Sequence, residues 1–202
     1  MKNILIVLTI IFILIMLKPK EANIKSLNSQ DTILAFGDSL TFGFNALPKE
    51  SYPSILAQLT GQKVINAGLN GDTSGDGLKR LPQLLHDPSI KRMVLCFGGN
   101  DILQNLPLDR LKQNLISMIQ MAKEKDIEVL LVAVPNITLF GLTSLNLYEE
   151  VAKSENVALS SGILTDILSQ SSLKSDQIHP NAQGYKQMAE EIYVSLKEYN
   201  LL

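Results

Sequence analysis

The chain has 202 residues, 46% of them apolar, and a formal charge of −2. That length supports one domain with a well-buried core, and a charge this small, spread without blocks, leaves no basic field for nucleic acid. The single cysteine, Cys96, excludes an intrachain disulfide, and its place in an apolar run makes it a small core residue rather than a reactive thiol.

Met1-Lys2-Asn3 is short and basic, and residues 4–17 are apolar except for Thr9. A helix over that stretch spans roughly 21 Å, short of the ~30 Å hydrocarbon layer, and suits the core of an export signal. Residues 1–26 are therefore expected to be an export signal or an N-terminal membrane anchor with its linker. Lys18-Pro19-Lys20-Glu21-Ala22 holds no clean small-x-small cleavage site, so both forms stay open. The protein is expected outside the cytoplasm, periplasmic or secreted, touching a membrane only through this segment. Residues 20–31 are polar and aperiodic, and a single domain follows over 31–202.

From residue 32 short apolar runs alternate with helical patterns. Strands are expected at 32–36, 63–66, 92–97, 127–134 and 157–159. The runs at 33–36, 94–97 and 129–134 are continuous rather than alternating, as in strands buried on both faces of a parallel sheet. Helices are expected at 53–59, at 77–85 behind a Thr73-x-x-Asp76 cap, from Leu108 to Ala122, at 146–154, and from Tyr185 to Leu196. Such alternation means a doubly wound α/β domain, whose ligands bind beyond the carboxyl ends of the strands.

At that edge the sequence places its polar turns. Gly37-Asp38-Ser39 follows the first strand, Gly68-Leu69-Asn70-Gly71-Asp72-Thr73 the second, and Gly98-Gly99-Asn100-Asp101 the third. Asp176-Gln177-Ile178-His179-Pro180 precedes the last helix and can fold over the same edge. A serine hydroxyl needs an adjacent base to act as a nucleophile. Of two histidines, His86 lies at a helix end away from this edge, so His179 is the candidate base. Asp176 can hold its ring in one tautomer. The N–H groups of Ser39 and Gly71 and the side-chain amide of Asn100 are the donors available to an oxyanion. Each feature alone also has a plainer reading, as a turn glycine, a cap or a solvated histidine. Four separate loops carrying fitting groups point to acyl transfer.

These blocks, Phe36-Gly37-Asp38-Ser39-Leu40-Thr41, Asn66-Ala67-Gly68-Leu69-Asn70-Gly71-Asp72-Thr73-Ser74, Gly98-Gly99-Asn100-Asp101 and Asp176-Gln177-Ile178-His179-Pro180-Asn181, resemble in order and spacing those of the SGNH hydrolases, also called GDSL esterases and lipases. The resemblance implies a flavodoxin-like three-layer α/β/α fold with a central parallel sheet of about five strands. It implies catalytic residues Ser39, Asp176 and His179, an oxyanion hole of Ser39, Gly71 and Asn100, and neither metal nor cofactor. The subtype it resembles most is the small exported bacterial acyl-CoA thioesterase, arylesterase and lysophospholipase group, so small acyl ester, thioester or lysophospholipid substrates are implied. The segment from Val134 to Leu142 departs from that subtype. Leu106, Leu139, Phe140 and Leu142 are candidates for an apolar acyl wall.

The same residues admit other readings. Asp38, Asp72, Asn100, Asp101, Asp176 and His179 superficially suit a two-metal phosphoesterase, but such sites recruit several imidazoles and the chain has two histidines. The glycines at 71, 75 and 77 match no nucleotide-binding pattern. The chain has no Gly-x-Ser-x-Gly elbow. A carbohydrate O-acetylesterase, or a non-catalytic binding domain retaining the fold, is the alternative.

Overall fold

The continuous apolar runs form the middle of a parallel sheet. A computed structural model describes residues 31–138 and 141–202, and the segment expected to direct export, 1–26, lies outside them. In chain order the elements are β1 (Thr32–Gly37), α1 (Ser39–Phe42), α2 (Tyr52–Thr60), β2 (Lys63–Gly68), α3 (Ser74–Leu84), β3 (Ile90–Cys96), α4 (Gly99–Leu103) and α5 (Leu108–Lys123). There follow β4 (Glu128–Val132), β5 (Asn136–Thr138), β6 (Gly141–Thr143), α6 (Asn146–Glu155), β7 (Ala158–Ser160), α7 (Ile163–Ser169) and α8 (Ala182–Glu198).

The main sheet has the order β2-β1-β3-β4-β7 with every pairing parallel, and β5 and β6 form a separate antiparallel pair. All six residues of β1 are buried, as are nearly all of β3 and β4. β2 is an edge strand and more open. Helices α2 and α8 pack together with α7, while α3, α5 and α6 form a second group. These two groups cover the two faces of the sheet, giving the three-layer α/β/α arrangement.

Local chemistry sets the boundaries. α3 begins at Ser74, three residues before the expected start, because Thr73 and Asp76 close a reciprocal cap. β4 stops at Val132, short of the expected 134, ahead of Pro135, which lacks an N–H and restricts the residue before it. Asn181 caps α8 by accepting from the N–H groups of Gln183 and Gly184. Cys96 is fully buried, and burial pushes its thiol pKa well up. At Gly98, φ is +131° and an added Cβ would lie 2.1 Å from the Tyr148 hydroxyl. That hydroxyl donates to the Phe97 carbonyl at 2.8 Å, so α6 fixes the turn that leaves β3.

Candidate active site

The chain passes from β1 outward to β2, then returns across β1 to β3. The crevice at this reversal, beyond the carboxyl ends of the strands, is where an α/β sheet accepts ligands. Asp38 caps α1 by accepting from the Leu40 N–H at 3.0 Å, which makes Ser39 the first residue of a one-turn helix at that edge. The Ser39 N–H therefore has no intrahelical acceptor. Gly71, after β2, has φ +84° and open space where a side chain would sit. Asn100 comes from α4, after β3.

Three residues brace these loops. Arg80 of α3 donates from Nε to Asp72 at 2.7 Å and from Nη2 to the Gly37 carbonyl at 2.8 Å, with its guanidinium 4.3 Å from the centre of the Phe36 ring. The Asn100 amide donates to the Asp72 carbonyl at 2.9 Å. Buried Asp101 accepts from the Ser74 N–H at 2.8 Å and the Ser74 hydroxyl at 2.6 Å. Asp72 and Asp101 are thus engaged within the scaffold rather than turned toward a shared ion. Among the described residues no group of three or more His, Cys, Asp or Glu side chains is placed to hold a metal.

The fourth loop supplies the imidazole. Asp176 Oδ1 accepts from the N–H groups of Ile178 and His179, both at 2.8 Å, which folds the loop tightly before α8. Its Oδ2 lies 2.8 Å from His179 Nδ1, and His179 Nε2 lies 3.0 Å from Ser39 Oγ. Burial acts to raise the Asp176 pKa, but the hydrogen bonds from Ile178 and His179 outweigh it and hold the carboxyl below its ordinary value. With Asp176 ionised, Nδ1 carries the proton and Nε2 is free to accept one from the serine. His86 is exposed and lines a separate hollow with Leu85 and Asp87, apart from Ser39.

Asp38 behaves differently. It is buried, its Oδ2 has no partner among the described residues, and burial, helped by the nearby charges of Asp101 and Asp72, raises its pKa to about 7 against the pull of the Leu40 N–H. The folded protein holds this proton between the ordinary value of 3.8 and about 7, whereas the unfolded chain has lost it. Stability from this group is complete below that window and disappears as pH rises through it. Asp38→Asn, which stays neutral, is expected to gain on the parent by on the order of 4 kcal/mol between about pH 4 and about pH 8. Urea unfolding of both proteins at the two pH values measures this; a constant difference would contradict it.

Ser39, Gly71, Asn100 and His179 open onto a pocket of about 190 Å³. Its apolar wall is built from Ile102, Leu103, Val134, Pro135, Leu168 and Ile178. The expected wall is corrected accordingly. Leu106 and Leu142 do not line the pocket, and Leu142 packs partly buried against the core. Leu139 and Phe140 lie outside the described residues. Helix α4 places Ile102 and Leu103 on the wall, and one turn of helix is too short to announce itself by periodicity. A wider groove of about 570 Å³ opens at the start of β4 and β7, at the opposite edge of the sheet and away from the serine.

The family model described as GDSL-like Lipase/Acylhydrolase matches residues 35–187, three quarters of the chain and all four loops. The chain belongs to this family. It is accordingly a carboxylic ester hydrolase. The GDSL chain is 30% identical over 176 residues to the esterase TesA of Pseudomonas aeruginosa, an alignment covering 82% of this chain and 88% of that protein. It is 31% identical over 158 residues to thioesterase 1/protease 1/lysophospholipase L1 of Escherichia coli K12, covering 75% and 76%. A crystal structure of TesA superposes with a TM-score of 0.77 at 29% identity, covering 83% of this chain and 99% of that one. Within the family span, sequence reasoning passed over Arg80 and Asp101 as scaffold ties and over Phe44, whose ring lies 4.6 Å from the His179 ring. A charged residue on the buried-edge side of a helix was the available signal for Arg80; nothing local marked Phe44.

Proposed function

We propose that this esterase is a metal-independent serine enzyme in which Ser39 attacks the acyl carbonyl, His179 takes and returns the proton, and Asp176 orients and stabilises the imidazolium. The single observation that carries the reading is the continuous line of contacts from Asp176 through His179 to Ser39, at 2.8 and 3.0 Å, at the mouth of an apolar pocket. As Ser39 Oγ bonds to the carbonyl carbon, its proton moves to Nε2 and negative charge collects on the former carbonyl oxygen. The N–H groups of Ser39 and Gly71 and the free N–H of the Asn100 amide are the donors for that charge. Collapse expels the alcohol or thiol, which takes the proton from His179 and leaves an acyl-enzyme. Water repeats the sequence and releases the acid.

The substrate class we propose is a small acyl ester, acyl thioester or lysophospholipid, in keeping with the names of the relatives. Because thiols leave as readily as alcohols, a thioester needs no further residue. An apolar wall favours an acyl chain over a carbohydrate, whose hydroxyls would need polar partners there. We further propose that the enzyme works outside the cytoplasm, on the strength of the apolar residues 4–17 behind Lys2.

A fluorophosphonate reagent is expected to attach to Ser39, located by peptide mass spectrometry, and p-nitrophenyl ester hydrolysis is expected to persist in excess chelator. Absence of label on Ser39, or activity lost to the chelator and restored by a metal, would contradict the proposal.

A further inference from the structure

The turn that leaves the nucleophile's helix grips the loop that carries the base. Gly43 and Asn45 have φ +90° and +63°, so the chain reverses directly after Phe42. The N–H groups of Gly43 and Phe44 both donate to the Ser39 carbonyl at 3.1 Å, tying this turn to the serine residue itself. From the turn, the Phe44 ring packs on His179 at 4.6 Å, and the Phe44 carbonyl accepts from the Tyr185 hydroxyl of α8 at 3.1 Å. The Asn45 amide donates to Asp176 Oδ2 at 3.1 Å and to the Ser175 hydroxyl at 3.3 Å.

Asp176 Oδ2 is thus the meeting point of two donors, His179 Nδ1 and Asn45 Nδ2. The Asp176 side chain is 37% exposed, so without Asn45 water competes for Oδ2, while Oδ1 stays held by the N–H groups of Ile178 and His179. We infer that Asn45 is a positioning residue, whose amide fixes the Asp176 carboxylate and through it the tilt of His179 toward Ser39. The inference rests on the roles proposed above for Ser39, His179 and Asp176. Asn45 touches none of the reacting atoms.

The backbone at position 45 restricts the useful variants. A left-handed φ admits glycine, asparagine and aspartate with little strain. Asn45→Gly keeps the turn and removes the amide. Asn45→Asp keeps shape and turn, replaces the donor by an acceptor, and sets a second carboxylate against Asp176. That added charge favours the imidazolium, so the acid limb of the pH profile moves upward. The other titratable groups around the pair are Asp38, beside Ser39 on the α1 side, and Tyr185 on α8. They are common to all three proteins, so differences between profiles report position 45.

The test measures kcat, KM and the pH dependence of kcat/KM on a p-nitrophenyl ester for the parent, Asn45→Gly, Asn45→Asp and Ser39→Ala. Asn45→Gly is expected to lose about tenfold in kcat with KM within about twofold, and Asn45→Asp to shift its acid limb up by about half a pH unit or more. The folded fraction of each variant is measured across the same pH range and divided out, so a poorly folding variant still reports. Asn45→Gly with the parent's kcat, or Asn45→Asp with the parent's acid limb, overturns the inference. A Ser39→Ala protein as active as the parent brings down the reading of the site and this inference with it. An inert Ser39→Ala beside an unaltered Asn45→Gly brings down the inference alone.

Discussion

Ser39→Ala and His179→Ala are each expected to lower turnover of p-nitrophenyl esters by about 10⁴–10⁶-fold, and the double variant to fall little further. On the proposed assignment the two groups act as one unit, because the serine oxygen is a poor nucleophile unless a base 3.0 Å away takes its proton as the new bond forms. Once either partner is gone, the other has nothing left to contribute, and the losses do not add. The fold should tolerate both changes. The backbone ties of Ser39 run through its carbonyl, and the Asp176 loop keeps its bonds to the main-chain N–H groups of Ile178 and His179. Unfolding midpoints close to the parent's would show that chemistry and not folding was lost. Turnover of His179→Ala within tenfold of the parent would contradict the assignment.

Asn100→Ala is expected to cost about 10²–10³ in kcat, or about 3–4 kcal/mol of transition-state stabilisation, with KM changed far less. The amide has two N–H groups. One is committed to the Asp72 carbonyl at 2.9 Å, and this bond holds the amide plane while the other remains for the oxyanion. A donor fixed before the charge develops costs nothing to reorient as the transition state forms, which is why the effect belongs in kcat. The same truncation releases the Asp72 carbonyl, so an unfolding curve should accompany the kinetics. A defect expressed mainly in KM would mean that Asn100 binds substrate and does not meet the oxyanion.

The sheet was legible because its strands are buried on both faces and so leave unbroken apolar runs, 33–36, 94–97 and 129–134. The long helices were legible by their spacing, as with Leu111, Leu115, Met118 and Ala122, all buried on one side of α5. Parallel strands then force their following turns to one edge, which is how Ser39, Gly71, Asn100 and His179 could be expected near one another before any coordinates. The apolar wall of the pocket was not legible. It depends on α4 and on where Leu168 and Ile178 fall after two loops have closed, and neither leaves a periodic trace. Asn45 was missed for a related reason. Its partner, Asp176, lies 131 residues away, and a turn asparagine looks the same whether or not its amide has work to do.

Ser39 and His179 are separated by 140 residues, one on the first strand's turn and the other just ahead of the final helix. Both ends of the domain must therefore be present together before the 3.0 Å contact can form. Loss of either end of the domain, β1 with α1 or the loop before α8, would remove one side of that contact. On the proposed assignment neither half of the chain is an esterase by itself, and two halves supplied separately would regain hydrolysis only by reassembling.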